Sequence, residues 1–247
     1  MIMNNAKISK LLQLRSPLVF AIAVIFGGGS AVVAQNLEKG YAAYQAEDYV
    51  TAIQELSPLA KQGNSLLGII IGDLYAEGLG VPKNYKKAVG WYRLAAEQGD
   101  AGAQFTLGYS YERGNGVLQD YKEAAGWYLL AAEQGNADAQ SALGNSYRTG
   151  KGVTQDYVLA HKWSQLAARQ GVALAQGNLG FMFAYAQGVR QNNVLSHMWF
   201  NIAAFNGFDT ADSWRDERAI EMTQAEILNA QAMARDCVSS GYKHCGN

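Results

Sequence analysis

The stretch AGAQFTLGYSYERGNGVLQDYKEAAGWYLLAAEQG, residues 101–135, decides the fold of this 247-residue chain, because the chain repeats it. Residues 137–171 read ADAQSALGNSYRTGKGVTQDYVLAHKWSQLAARQG, with the same glycines, alanines and aromatic residues in step. Less similar copies flank these two, so that four tryptophans also recur every 36 residues: Trp91, Trp127, Trp163 and Trp199. A fixed period of this length is typical of a repeat protein in which each copy is one small structural unit.

Each copy is predicted to form two helices joined by a turn. In the first helix, Ala103, Leu107 and Tyr111 recur at i, i+4 and i+8 and form one apolar stripe. Gly108 lies beside this stripe and would let a neighbouring helix approach, while Gly114 is placed to end the helix in a left-handed conformation. The second helix is predicted to begin after a short capping side chain, found at five equivalent positions: Asp48, Asn84, Asp120, Asp156 and Asn192.

The inward face of the second helix is predicted from its large and small residues. Trp127, Ala131 and Ala132 share this face, so the four tryptophans are expected to form a periodic core column. Trp214 lies outside the 36-residue register, and we expect it to pack in the core or the end cap.

The repeat sets the domain organisation. It predicts an N-terminal capping helix pair over 35–62, repeats over 63–98, 99–134, 135–170 and 171–206, and C-terminal capping helices with a tail over 207–247. In the first pair, Glu55 replaces the tryptophan and Pro58 is expected to interrupt the helix. Thr223 and Glu226 form a capping box for a last helix that is expected to end near Arg235.

Residues 1–34 have the composition of a secretory signal. A basic stretch reaches Arg15, an apolar run LVFAIAVIF covers 18–26, and small residues follow, so cleavage is predicted after Ala34 and the mature protein is expected in the periplasm or secreted. The alternative is an uncleaved membrane anchor, although the apolar run is shorter than the roughly twenty residues that span a bilayer.

The two cysteines, Cys237 and Cys245, lie at the C-terminus of the chain. In an exported protein they are predicted to form a disulfide that closes a small loop. Their spacing fits neither a CxxC redox motif nor a zinc site.

Composition and motifs argue against several functions. The net charge is −1, and it becomes −4 without residues 1–34, since 17 basic and 21 acidic residues then remain; no basic run exists that would bind a nucleic acid. The Gly-x-Gly turns lack the third glycine and the preceding strand of a phosphate-binding loop. His161 and His197 are equivalent in the repeat but too far apart to share a metal without a third ligand. We therefore expect no metal, no cofactor and no catalytic residue.

The residue pattern AxAQxxLGxxYxxGxGVxxDYxxAxxWYxxAAExG resembles the Sel-one-like repeat family, relatives of the tetratricopeptide repeat, over about residues 37–236. The resemblance implies an all-α fold, a right-handed superhelical solenoid of antiparallel helix pairs, and a role as an adaptor that binds proteins. A cysteine-rich branch of the family is associated with penicillin binding and hydrolysis. This chain lacks the cysteine pair in each repeat that marks that branch.

Comparison between the copies predicts a binding surface. Three columns of the first helices vary freely while the apolar stripe is retained, and in a solenoid the first helices usually line the concave side. The candidate residues are aromatic, basic or amide side chains: Phe105, Tyr109, Arg113, Asn145, Arg148, Phe181 and Tyr185. The arginines are candidate anchors for a carboxylate. The alternative is that these are ordinary solvated residues.

The leading functional hypothesis is an exported, non-catalytic scaffold that binds a protein or peptide in its concave groove. A second hypothesis is a protein that binds or hydrolyses cell-wall fragments or β-lactams, like the cysteine-rich branch. A third is a structural surface protein. The sequence does not define the oligomeric state, and a membrane is expected as a partner only if the signal segment is retained.

Overall fold

The computed structural model describes residues 30–245, and over this range it is entirely helical, with twelve helices and no strand. The helices are α1 (Ser30–Gln45), α2 (Tyr49–Lys61), α3 (Ser65–Glu77), α4 (Tyr85–Glu97), α5 (Ala101–Arg113), α6 (Tyr121–Glu133), α7 (Ala137–Thr149), α8 (Tyr157–Ala168), α9 (Ala173–Ala184), α10 (Asn193–Phe205), α11 (Ala211–Ala219) and α12 (Gln224–Ser239). Most of the predicted signal segment lies outside the described residues. No helix within 30–245 is both long enough and apolar enough to span a membrane.

The described part of the chain forms two compact units, which are divided between Gln98 and Gly99. In the first, α1 pairs with α2 and α3 pairs with α4, and α2 also packs on α3. Its core is rich in leucine and isoleucine, including the fully buried Leu56 and Ile71. Pro58 does not interrupt α2, so the sequence-based prediction was wrong at this position. The helix continues through Pro58 to Lys61, and the proline ring is exposed to solvent.

In the second unit the helices pair in the same way, α5 with α6, α7 with α8 and α9 with α10, and each second helix packs on the next first helix. At the C-terminal end, α11 and α12 both pack on α10. This succession of helix pairs in each unit agrees with the helix pairs that the repeat predicted and with the helical solenoid that the resemblance implied.

The helix boundaries follow from the capping residues. Each of the five predicted caps accepts a hydrogen bond from a backbone amide in the first turn of its helix, as Asp120 does from the amides of Lys122 and Glu123. Gly114 has φ 72°, the left-handed conformation predicted to end α5. These predictions are confirmed. The last helix, in contrast, does not end near Arg235 but continues to Ser239, because Cys237 is part of its buried face.

The core column of the second helices is not the tryptophan column. Trp91, Trp127 and Trp163 are only partly buried, and Trp199 alone of the four is buried. The residue after each tryptophan fills the space between the helices instead: Tyr92, Tyr128, Ser164 and Phe200. A glycine of the first helix makes room for it, since a Cβ on Gly108 would lie 2.8 Å from two ring carbons of Tyr128. The prediction that Gly108 permits close approach is thus confirmed, and the group that approaches is the tyrosine ring.

A ladder of side-chain amides ties the two helices of each copy together in the second unit. In each copy, an amide that follows the second helix donates to the amide oxygen of a buried glutamine in the first helix at 2.8 Å: Gln134 to Gln104, Gln170 to Gln140, and Asn206 to Gln176. Buried amides are costly without partners, so these bonds fix how each pair closes.

The C-terminal tail ends this ladder. Cys237 and Cys245 form a disulfide with their Cα atoms 4.6 Å apart, which agrees with the predicted pairing. The loop between them carries Tyr242, whose hydroxyl donates to Asn206 Oδ1 at 2.9 Å. Tyr242 follows Asn206 by 36 residues, and its ring lies against the turn at Gly171. The tail therefore caps the last repeat in register with it.

Candidate functional site

The candidate binding residues lie on α5, α7 and α9, the first helices of the second unit, or at the end of α9. We call this set of side chains the first-helix surface: Phe105, Tyr109, Arg113, Asn145, Arg148, Phe181 and Tyr185. Only Arg113 and Tyr185 are exposed, and the other five are partly buried. The surface is therefore built largely from side chains that also contact their neighbours.

The α5 part of this surface is an aromatic group with a cation. The ring of Phe105 lies 6.4 Å from that of Tyr109 and 5.7 Å from that of Tyr128, measured between centroids. The guanidinium of Arg113 lies over Tyr109, 5.4 Å from the ring centroid. Stacking on an aromatic face holds the arginine head group near the ring while its exposed edges remain able to donate hydrogen bonds.

A phenol and a carboxylate meet beside this group. Tyr128 is 1% exposed, yet its hydroxyl donates to Glu112 Oε2 at 2.6 Å. Burial and the neighbouring Glu112 carboxylate raise the pKa of Tyr128 well above its ordinary value, so the phenol stays protonated. In the first unit Tyr92, which is equivalent to Tyr128, also donates to a carboxylate, Asp73 Oδ1 at 2.7 Å, although this carboxylate stands at the Tyr109 position of the repeat. Burial raises the pKa of the Asp73 carboxyl.

The third copy lacks both members of this pair. Ser164 stands at the tyrosine position, with its Oγ buried and without a hydrogen-bond partner, and Arg148 stands at the Glu112 position. Arg148 Nη2 donates to Asn145 Oδ1 at 2.9 Å, whereas its Nε is buried without an acceptor. Burial lowers the pKa of Arg148 from its ordinary value. The α7 part of the surface thus presents a partly desolvated cation.

The α9 part is a cluster of stacked rings. Phe181 stacks on Tyr185 with centroids 6.1 Å apart, and it also contacts Phe200 at 5.2 Å and Trp214 at 4.2 Å. Trp214, on α11, packs against three phenylalanines, so its role is packing, as expected. Phe181 is therefore part of the C-terminal core, while Tyr185 is 55% exposed and offers its ring to solvent.

The structure brings the predicted residues together in three groups, one on each first helix: Phe105, Tyr109 and Arg113 on α5, Asn145 and Arg148 on α7, and Phe181 with Tyr185 at α9. Sequence reasoning missed Glu112 and Tyr128, although the recurrence of tyrosine after tryptophan in two copies was visible. It also missed Arg218, which lies 5.8 Å from the Tyr185 ring centroid.

The two repeat-equivalent histidines have different surroundings. His197 is 2% exposed, and its Nδ1 shares a hydrogen bond with the side-chain amide of Asn201 at 2.9 Å. His161 packs edge-on against the ring of Phe183. Burial lowers the pKa of both imidazoles. Within the described residues, no three histidine, cysteine or acidic side chains cluster as metal ligands would.

A separate groove lies between α10 and α12. Its volume is about 350 Å³, and Phe205, Ile202, Ala234 and Val238 give it a mainly apolar lining. Phe205 is 72% exposed, at a repeat position where the other three copies carry Glu97, Glu133 and Arg169. We call this feature the end groove, and it is the structural alternative to the first-helix surface.

Comparisons with known proteins agree with this architecture. The Sel1 repeat model matches residues 63–100, 101–136, 137–172 and 173–207, more than half of the chain. The chain therefore belongs to the Sel1 repeat family. A comparison with curated proteins found no match.

Two solved structures are similar over most of the chain. A protective antigen of uropathogenic Escherichia coli strains, which displays an SLR fold, is 32% identical with a TM-score of 0.72, over 87% of this chain and 46% of that one. This chain thus spans less than half of that antigen. A Sel1 repeat protein from Oxalobacter formigenes is 31% identical with a TM-score of 0.69, over 84% of this chain and 83% of that one.

Proposed function

We propose that this protein is an exported, non-catalytic scaffold that binds a protein or peptide partner along the first-helix surface. Sel1 repeats generally mediate protein–protein interaction, and this chain has four of them. The observation that carries the proposal is the variation of the first-helix surface between copies whose core is retained. Side chains that differ from copy to copy and remain at least partly exposed, such as Tyr109, Arg113 and Tyr185, can give the surface specificity for one partner.

The chemistry of the surface supports a peptide or protein ligand. Tyr109 and Tyr185 supply aromatic area at low cost in side-chain entropy, and Arg113 and Arg148 supply planar donors. Aromatic and arginine side chains of this kind dominate the energetics of protein interfaces.

Export is proposed from residues 1–34 alone, whose basic, apolar and small-residue segments have the order of a secretory signal. The test is to isolate the protein from envelope and cytosol fractions and to sequence its N-terminus. We expect the envelope form to begin at Gln35. A cytosolic protein that retains residues 1–34 would contradict export.

Partner binding is tested by crosslinking the tagged protein in its native envelope, followed by mass spectrometry. The critical variant is Tyr109→Ala combined with Tyr185→Ala. Phe181 is unsuitable for this variant because it packs on Phe200 and Trp214, and its loss would weaken the fold. The matched control is Phe205→Ala, which removes an exposed aromatic ring from the end groove.

We expect one dominant protein partner that the control retains and the tyrosine double variant loses. Capture that survives in a folded double variant but disappears with Phe205→Ala would move the binding site to the end groove. Recovery of cell-wall material without a protein would contradict the proposal, and hydrolysis of a chromogenic β-lactam would contradict its non-catalytic part.

A further inference from the structure

Arg148 is the arginine of the first-helix surface that has a buried N–H group without an acceptor. A guanidinium carries five N–H donors in a planar fork, and in Arg148 one of them, Nη2, donates to Asn145 while the buried Nε has no acceptor. Within residues 30–245, the ion pairs do not include Arg148. A partly buried cation without a counter-charge destabilises a fold, so its presence calls for a role outside packing.

The two arginines of α11 differ from Arg148 because they have counter-charges. Arg215 pairs with Asp212 and Asp216, and Arg218 pairs with Glu217 and Glu221. Both are thus neutralised by two carboxylates from their own segment of chain. Arg148 donates to the neutral amide of Asn145 and lies near Tyr157, and no carboxylate within residues 30–245 forms an ion pair with it, so a counter-anion would come from another molecule.

The repeat provides an internal comparison at the same position. In the preceding copy the equivalent residue is Glu112, whose carboxylate accepts a hydrogen bond from the hydroxyl of Tyr128. In the third copy both partners change, to Arg148 and Ser164, so that the local pair is lost and the charge is reversed. Arg148 stays protonated despite its burial, because the ordinary pKa of arginine lies far above neutral pH.

We propose that Arg148, with Asn145 holding its fork, binds a carboxylate of the partner, so that the ligand of the first-helix surface is an acidic peptide segment. The carboxylate would meet the terminal Nη groups, since Nε is sealed from solvent. Its source is either a glutamate or aspartate side chain or a free C-terminus. The inference rests on the proposed function, because it assigns the chemistry of the same surface.

The test uses the purified protein and three fluorescent pools of short peptides whose flanking residues are random but exclude Asp and Glu. The first pool has a central glutamate and an amidated C-terminus, the second has a central glutamine and an amidated C-terminus, and the third has a central glutamine and a free C-terminal carboxylate. Binding is measured by fluorescence anisotropy for the wild type, Arg148→Met and Arg148→Gln. Arg169→Met is the matched control, since it removes an equal charge at an exposed position at the end of α8.

We expect the wild type to bind a carboxylate-bearing pool at least about tenfold more tightly than the central-glutamine, amidated pool, as a charge-assisted bond to arginine would give. The difference should vanish in both Arg148 variants and persist in Arg169→Met. Preference for the first or the third pool identifies a side-chain or a C-terminal carboxylate as the source. Arg148→Met should also unfold at an equal or higher denaturant concentration than the wild type, a result that a structural role for the cation would reverse.

Equal binding of the three pools by the wild type, or a preference that survives in Arg148→Met, would overturn the inference. So would the absence of binding to every pool. None of these results decides the proposed function, because envelope capture that depends on Tyr109 and Tyr185 would still show partner binding without carboxylate recognition.

Discussion

Two glycines in the same copy should respond in opposite ways to the same substitution. Gly126 is exposed within α6, and a Cβ added there would meet no atom within 4 Å. Gly108 is buried within α5, and its Cβ would lie 2.8 Å from Tyr128 ring carbons and 3.1 Å from the carbonyl oxygen of Ala124. Alanine is favoured over glycine inside a helix by about 1 kcal/mol, so both variants gain helix propensity, but only Gly108→Ala creates a steric conflict.

The magnitudes follow from this difference. We expect Gly126→Ala to raise the free energy of unfolding by about 0.5–1 kcal/mol. Overpacking a well-filled core costs about 1–3 kcal/mol, and the hydrogen bond from Tyr128 to Glu112 opposes movement of the ring. Gly108→Ala should therefore lower the free energy of unfolding by up to about 2 kcal/mol after the propensity gain is included.

The assay is urea unfolding followed by tryptophan fluorescence, with the dependence on urea concentration compared between variants. Gly90 and Gly72 provide an independent repetition in the first unit, since Gly90 has open space and Gly72 faces the ring of Tyr92. A Gly108→Ala protein as stable as the wild type would refute the assignment of the tyrosine column to the core, and a Gly126→Ala protein less stable than the wild type would refute the open space at Gly126.

Two further predictions concern the C-terminal repeat. Tyr242→Phe should lower the free energy of unfolding by about 1 kcal/mol in urea titrations, because it removes the hydrogen bond to Asn206 at the end of the amide ladder; an unchanged midpoint would show that the tail does not cap the repeat through this bond. Burial, and then the charge of Arg215, lowers the pKa of His197 in the folded protein, so His197 contributes stability that is present above its unfolded pKa near 6.5 and is lost as the pH falls through its folded pKa. The free energy of unfolding should therefore fall less in His197→Gln than in the wild type between pH 7.5 and pH 5, with a difference of up to about 1.4 kcal/mol per pH unit. An equal fall in both proteins would count against the burial of a neutral imidazole.

Local signals in the sequence predicted the fold because each acts over a few residues. The caps such as Asp120 bind amides within their own first turn, and Gly114 ends its helix through its own backbone conformation. Neither depends on how the helices pack. The interruption predicted at Pro58 was wrong because the rest of α2 packs strongly enough to tolerate the proline.

The choice of core column could not be made as easily. Trp127 and Tyr128 are adjacent, about 100° apart on the helix, and either is large enough to fill a core. Only the position of Gly108 on the partner helix selects the tyrosine, and that pairing is a tertiary contact. The amide ladder had a signal in the sequence, since Gln104, Gln140 and Gln176 recur in register. The burial of these glutamines could not be read from the sequence.

The candidate surface was predictable in part. Variation between copies identified the columns of Tyr109 and Arg148, because these columns change in polarity and charge while the apolar stripe of the same helices is retained. It did not distinguish Phe181, which packs against Trp214, from Tyr185, which is exposed. Trp214 lies outside the repeat register, so its contacts could not be inferred from the other copies.

The most direct test of partner binding is a photo-crosslinking comparison in living cells. In separate variants, a photoreactive amino acid replaces Tyr109, Asn145 or Tyr185 on the first-helix surface. The control variants carry it at Leu130 or Leu166, which are exposed on second helices. After irradiation, adducts are identified by mass spectrometry. We predict that the first-helix positions give an adduct with one and the same protein and that the controls do not. Adducts formed only from Leu130 and Leu166, or none from any position, would contradict the account.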